Sequence, residues 1–202
     1  MLSQLIASPG VVETVRLEGP VGVMALHGGL ESGTDSAAAA LAKQIGGSLY
    51  VVIQPDDLAW HIPSIEYLPS HSEALEAFVA HVRVAISVHG FGRPGLESAV
   101  LVGGRNRELA AAIAEAIEPN GGLRVVSDLE EIPRGLRGLH PANPVNLPAE
   151  SGVQLELSTG AREPDVVARI VDAVAGVLGR GRDPAQAPQA PGAGRRCRTG
   201  SP

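Results

Sequence analysis

Three side chains of this 202-residue chain have the types and spacing to hold a metal ion: His27, Glu31 four residues later, and His89. Two imidazoles and one carboxylate are the protein ligands of a catalytic zinc that leaves its fourth position open for water. Gly28 and Gly29 stand between the first two. A turn that carries Glu31 back toward a metal already held by His27 needs such permissive residues. Glu156 sits in the otherwise apolar run Val153–Leu157, where a buried carboxylate is costly unless it is paired or has a task. The task still missing from a His/Glu/His site is a general base that takes a proton from water at the metal. Plainer readings stand beside these. His27 and His89 could each simply end a strand, and alternation of Gln154 and Glu156 with Val153, Leu155 and Leu157 also fits an edge strand with its carboxylate in solvent.

Other polar residues fall at element boundaries. Gly103-Gly104-Arg105-Asn106 marks a strand-to-helix turn, where helix N–H groups attract anions and an Arg offers a planar fork for a carboxylate. Asn106 is equally suited to cap the helix that follows. Arg162, soon after Glu156, would be a second positive group or an ordinary surface Arg. His61 follows Trp60 in a polar-flanked loop and is open to either reading, whereas His71, His81 and His140 read as structural or surface residues. No phosphate-loop, dinucleotide or nucleophile-elbow motif is present; Ser32, in Gly29-Leu30-Glu31-Ser32-Gly33, is in the wrong frame for the last.

The elements that must position these groups are legible as short apolar runs ending in glycine turns. Strands are expected at Val21–Leu26, Leu49–Ile53, Val84–Val88, Ser98–Val102, Leu123–Val126 and Val153–Leu157. Helices are expected from an N-cap at Thr34 to about Ile45, from Ser70 or Ser72 to about Ala80, from Asn106 to Ile117, and from Pro164 to about Leu178. This alternation predicts an α/β fold with an open, mainly parallel or mixed sheet covered by helices, and a site at the carboxyl ends of its strands.

Composition narrows the function further. From Arg180 onward five Arg face one Asp, whereas the first 179 residues carry eleven Lys and Arg against twenty-one Asp and Glu. An acidic body with one Trp, two Tyr and two Phe disfavours a nucleic-acid partner, which needs a basic face and stacking rings. Residues 180–202 are rich in Pro, Ala, Gly and Arg and are expected to form a disordered basic tail behind a hydrolase domain at 1–179. The single cysteine, Cys197, lies in that tail, so thiolate metal sites and disulfide frameworks are excluded. Neither a secretory signal nor a membrane-spanning apolar run is evident, which points to a soluble, cytoplasmic protein.

In order along the chain, Leu26-His27-Gly28-Gly29-Leu30-Glu31-Ser32-Gly33-Thr34, Trp60-His61-Ile62-Pro63-Ser64, Ser87-Val88-His89-Gly90, Gly103-Gly104-Arg105-Asn106 and Gly152-Val153-Gln154-Leu155-Glu156-Leu157-Ser158 resemble the motifs of the poly-γ-glutamate hydrolases. These are zinc peptidases of carboxypeptidase-like fold from phages and bacteria. The turn from His27 to Glu31 is one residue shorter than is common in that family, and Ser32 and Pro63 stand where Pro and Thr are usual. The resemblance implies zinc held by His27, Glu31 and His89, with Glu156 activating water. Arg105 would anchor a substrate carboxylate or polarise the scissile carbonyl, and His61 would touch substrate; Asn106 and Arg162 are further candidates for substrate contact by their place beside these motifs. Arg93, Arg105, Arg107 and Arg162 would attract a polyanion that the acidic body repels at long range. The expected activity is cleavage of γ-glutamyl or similar carboxylate-bearing amides. A deacylase of small N-acyl amino acids is one alternative, and a non-catalytic module binding a metal or an acidic peptide is another.

Overall fold

The computed structural model describes residues 1–120 and 122–180. A short helix, α1 (Leu2–Ile6), leads into β1 (Val12–Arg16). There follow β2 (Gly19–Gly28), α2 (Thr34–Ile45), β3 (Gly47–Ile53) and α3 (Glu73–His81). After these come β4 (Val84–Gly90), β5 (Ala99–Gly103), α4 (Arg107–Ile117), β6 (Arg124–Val126), β7 (Gly152–Leu157) and α5 (Pro164–Arg180). The expected tail lies outside the described residues apart from Arg180, which closes α5. No described helix is long and apolar enough to cross a membrane.

The strands form one sheet in the order β1-β3-β2-β4-β7-β5-β6. β1 on β3 and β5 on β7 are antiparallel, and the remaining neighbours run parallel. The sheet is therefore mixed, with helices on it, as the sequence predicts. Helices α2, α4 and α5 cover one face, where Ala38, Leu41, Ile113 and Val174 pack on Val23, Ile86, Val100 and Leu155. Helices α1 and α3 share the other face with long connections, packing Leu2, Leu5, Leu75 and Phe78 on Met24, Leu26, Tyr50 and Ala85.

Local chemistry accounts for the helix ends. Ser72 accepts a hydrogen bond from the Leu75 amide at 3.0 Å, and Asn106 does the same for Leu109 at 3.1 Å. The expected cap of α2 moves by one residue: Gly33, at φ 84°, is the N-cap and Thr34 is the first helical residue. Thr34 Oγ1 instead donates to the Glu31 carbonyl at 2.8 Å, which joins the helix to the turn before it. The edge strand β1 and helix α1 lie outside the sequence expectations. Val12–Arg16 is five residues long and pairs on one side only, so its apolar alternation is brief.

Candidate metal centre

β2 and β4 run further than their apolar cores suggest, so His27 and His89 stand on strands rather than in the loops beyond them. Strict alternation would turn His27 toward the face of Val23 and Ala25. A bulge prevents this, because Ala25 to Gly28 of β2 lies opposite only Val51 to Ile53 of β3. The extra residue redirects the chain, and the His27 ring meets Tyr67 edge-on at 5.7 Å on the opposite face. His89 and Glu156 are cross-strand partners in the β4–β7 register. Their side chains therefore share that face, and β7 is an interior strand, which removes the solvent-exposed reading of Glu156.

The turn after β2 closes through a hydrogen bond from the Glu31 amide to the His27 carbonyl at 2.8 Å. Gly29 makes it possible: its φ is +78°, and a Cβ there would lie 2.1 Å from the Gln54 carbonyl oxygen. Gly29→Ala is expected to lose at least ~2 kcal/mol of stability in a urea melt and to weaken metal binding. Glu31 then points back into the site. Its Oε1 lies 2.9 Å from His27 Nδ1, and its Oε2 accepts from the Gly90 amide at 2.8 Å and lies 3.5 Å from His89 Nδ1.

One donor atom from each of His27, Glu31 and His89 lies within 4.8 Å of the other two, so these residues form a group able to hold a metal ion. The donor states suit a divalent cation. Burial alone would raise the Glu31 carboxyl, but hydrogen bonds from His27 and His89 outweigh it and hold the group far below the usual carboxylate range. Burial pushes the His89 imidazole below its usual value, which favours the neutral ring. His27 Nε2 lies 2.8 Å from the Ile62 carbonyl, which can only accept, so that nitrogen carries a proton, and Nδ1, which faces Glu31 at 2.9 Å, is the atom that would bind a metal in place of that contact. His89 Nε2 is buried with no partner.

These residues border a cavity of about 420 Å³ shared with His61, Arg134, His140, Asn143, Gln154 and Glu156. The His61 ring lies 4.7 Å from that of His27, tilted by 39°, and partial burial followed by the nearness of His27 lowers its pKa. Burial and the charge of Glu31 push the Glu156 carboxyl up to about 8, against opposing effects of Gln154 and Arg93. An unfolded Glu ionises near 4.5, so the folded metal-free protein holds the extra proton between there and about 8. Its stability falls as pH rises through that window and levels off above it. In metal-free protein, Glu156→Gln should therefore melt like wild type near pH 4.5 and be the more stable of the two at pH 9, by up to ~5 kcal/mol for a shift of this size.

Four residues expected to meet substrate, Arg105, Asn106, Arg107 and Arg162, are not among those that line the cavity. Because β5 is antiparallel to β7, with Gly103 opposite Gln154, the carboxyl end of β5 lies at the opposite end of the strands from His89 and Glu156. Arg105 and Asn106 consequently do not line the cavity. The Asn106 amide donates to the Gly152 carbonyl at the start of β7, and its side chain caps α4. Arg107 donates to the carbonyls of Val102, Gly104 and Ser127, which hold its guanidinium against the chain. Arg162 is not among the cavity-lining residues; its guanidinium packs beside Gly90, next to Glu31, and donates to the Ser32 carbonyl at 3.0 Å.

Four cavity residues escaped the sequence reading. Gln154 carried the same signal as Glu156, a polar side chain in an apolar strand. Asn143, Arg134 and His140 lie in the Pro- and Gly-rich segment 127–151, where no periodicity marks one residue over another.

A family model described as poly-γ-glutamate hydrolase matches residues 6–165. Among solved structures, the chain is similar to a bacteriophage poly-γ-glutamate hydrolase, with a TM-score of 0.72 and 21% identity, covering 88% of this chain and 93% of that one. A structure described as the zinc-free apo form of YNDL gives a TM-score of 0.67 and 20% identity, covering 85% of this chain and 91% of that one. Both likenesses are of fold. No curated protein sequence matches the chain.

Proposed function

The chain belongs to the poly-γ-glutamate hydrolase family, and from that premise we propose that it is a zinc-dependent amidohydrolase cutting γ-glutamyl amide bonds. The observation that carries this reading is the meeting of His27, Glu31, His89 and Glu156 on one wall of one cavity. Three neighbouring donors of this kind suit zinc, and YNDL, of similar fold, is described in a zinc-free apo form. When bound, zinc supplies a Lewis acid that polarises the scissile carbonyl and makes water more acidic.

The chain's own residues do the rest. A positive charge beside Glu156 favours its ionised form, so that it accepts a proton from the attacking water and returns it to the leaving amine. His61 lines the cavity, where it would meet a bound amide, and the Ile62 carbonyl holds the proton of His27 Nε2, so that Nδ1 is the atom turned to the metal.

A γ-linked polymer leaves a free α-carboxylate on every unit. Arg134 lines the cavity, is exposed, and has no acidic partner among the described residues. Arg93, on the connection after β4, adds a positive charge near Glu156. Arg134→Ala is expected to raise KM for poly-γ-glutamate about fivefold, the effect of ~1 kcal/mol, and to leave KM for an uncharged amide unchanged in steady-state kinetics.

The decisive experiment is metal analysis of purified protein together with assays on poly-γ-glutamate and N-acyl-glutamates. One zinc per chain and shortening of the polymer are expected. Cleavage of N-acyl-glutamates with the polymer untouched would make it a small-substrate deacylase, and failure to take up zinc would overturn the reading.

A further inference from the structure

Glu156 is not held alone. Gln154, two residues earlier on the same face of β7, donates from Nε2 to Glu156 Oε1 at 2.8 Å. Asn143, from the connection between β6 and β7, donates from Nδ2 to Gln154 Oε1, also at 2.8 Å. All three side chains are only 4% exposed, so their polar groups are costly to leave unpaired.

Backbone groups fix the direction of this chain of hydrogen bonds. The Val145 amide, which can only donate, reaches Asn143 Oδ1 at 3.3 Å, so Asn143 must turn its NH2 toward Gln154. The Leu136 carbonyl, which can only accept, lies 3.4 Å from Gln154 Nε2 and favours the same orientation of that amide. Gly138, at φ +66°, lets the connection close over the group: a Cβ there would stand 2.7 Å from Gln154 Oε1. Glu156 Oε1 thus always meets a donor. Its other oxygen, Oε2, takes no hydrogen bond from the described residues on a side chain that lines the cavity.

We propose that Gln154, oriented by Asn143, is a positioning residue that confines the mobile proton of Glu156 to Oε2, the oxygen left to the cavity. This rests on the reading of Glu156 as the proton carrier. As water adds to the amide carbon, one of its O–H bonds breaks and the proton bonds to Oε2. When the C–N bond breaks, that proton passes from Oε2 to the leaving nitrogen, and Glu156 is again a carboxylate. Oε1 cannot substitute, because a proton there would face the Gln154 NH2.

Asn143→Asp tests this with almost no change of shape. The new oxygen repels Gln154 Oε1, so the Gln154 amide turns over and presents its oxygen to Glu156, trapping the proton on Oε1. Gln154→Leu removes the donor outright. Both variants, made in the full chain and loaded with zinc, should lose 10- to 100-fold in kcat with KM within twofold and one zinc still bound. Should Gln154→Leu fail to fold, the isosteric Asn143→Asp carries the test. Wild-type kcat in Asn143→Asp, or a rise in KM in place of the fall in kcat, would overturn the proposal while Glu156→Gln remained inactive. Activity surviving in Glu156→Gln would remove the underlying reading as well.

Discussion

Glu156→Gln should lower kcat about a thousandfold while the protein still takes up one zinc per chain. General acid–base catalysis by a placed side chain contributes roughly 10²- to 10⁴-fold, and here a single carboxylate would serve both proton transfers. The substitution keeps the shape of the side chain and an oxygen to accept from Gln154 Nε2, which now lies 2.8 Å from Oε1. It replaces the free oxygen by an NH2 group that can take no proton. His27, Glu31 and His89 are untouched, so metal content and kinetics separate cleanly. Zinc analysis beside single-turnover hydrolysis of poly-γ-glutamate measures both, and turnover within tenfold of wild type with zinc in place would refute the role.

Loss of a ligand should be more severe. In His27→Ala the Nδ1 donor 2.9 Å from Glu31 disappears, together with the anchor of Nε2 on the Ile62 carbonyl. Two donors remain, and Glu31 keeps its negative charge in a buried place with one of its three polar supports gone, His89 and the Gly90 amide being left. Zinc affinity should fall by well over the 10–100-fold that the loss of an outer-shell partner costs, and hydrolysis should drop to background. Chelation of wild-type protein gives the matching control: activity disappears and returns when zinc is restored, whereas stoichiometric zinc does not revive His27→Ala. Equal zinc uptake by the two proteins would remove His27 from the ligand set.

The residues gathered at the centre were legible because their types conflict with their surroundings. A carboxylate in an apolar strand and imidazoles at glycine turns both stand out in a linear reading. The face that His27 occupies was not legible, since it depends on one extra residue in β2 relative to β3, a property of two strands together. Arg105 and Asn106 were misplaced for a related reason. Their turn has the ordinary look of one that follows a parallel strand, yet β5 runs antiparallel to β7, and nothing local to Ala99–Gly103 reports the direction of its neighbour. The reverse error concerns His140 and Arg134. They sit in a connection without periodicity, and only its folding over β7 brings them to the cavity.

The pairing of His89 with Glu156 across β4 and β7 separates two kinds of heritable change. On the proposed reading, a metal ligand and the proton carrier are spaced by the repeat of a sheet, which drift in the connections leaves undisturbed. The rim that meets substrate belongs to chain segments free to lengthen, shorten or exchange side chains. If the proposed function holds, the choice of amide could change without moving the groups that hydrolyse it.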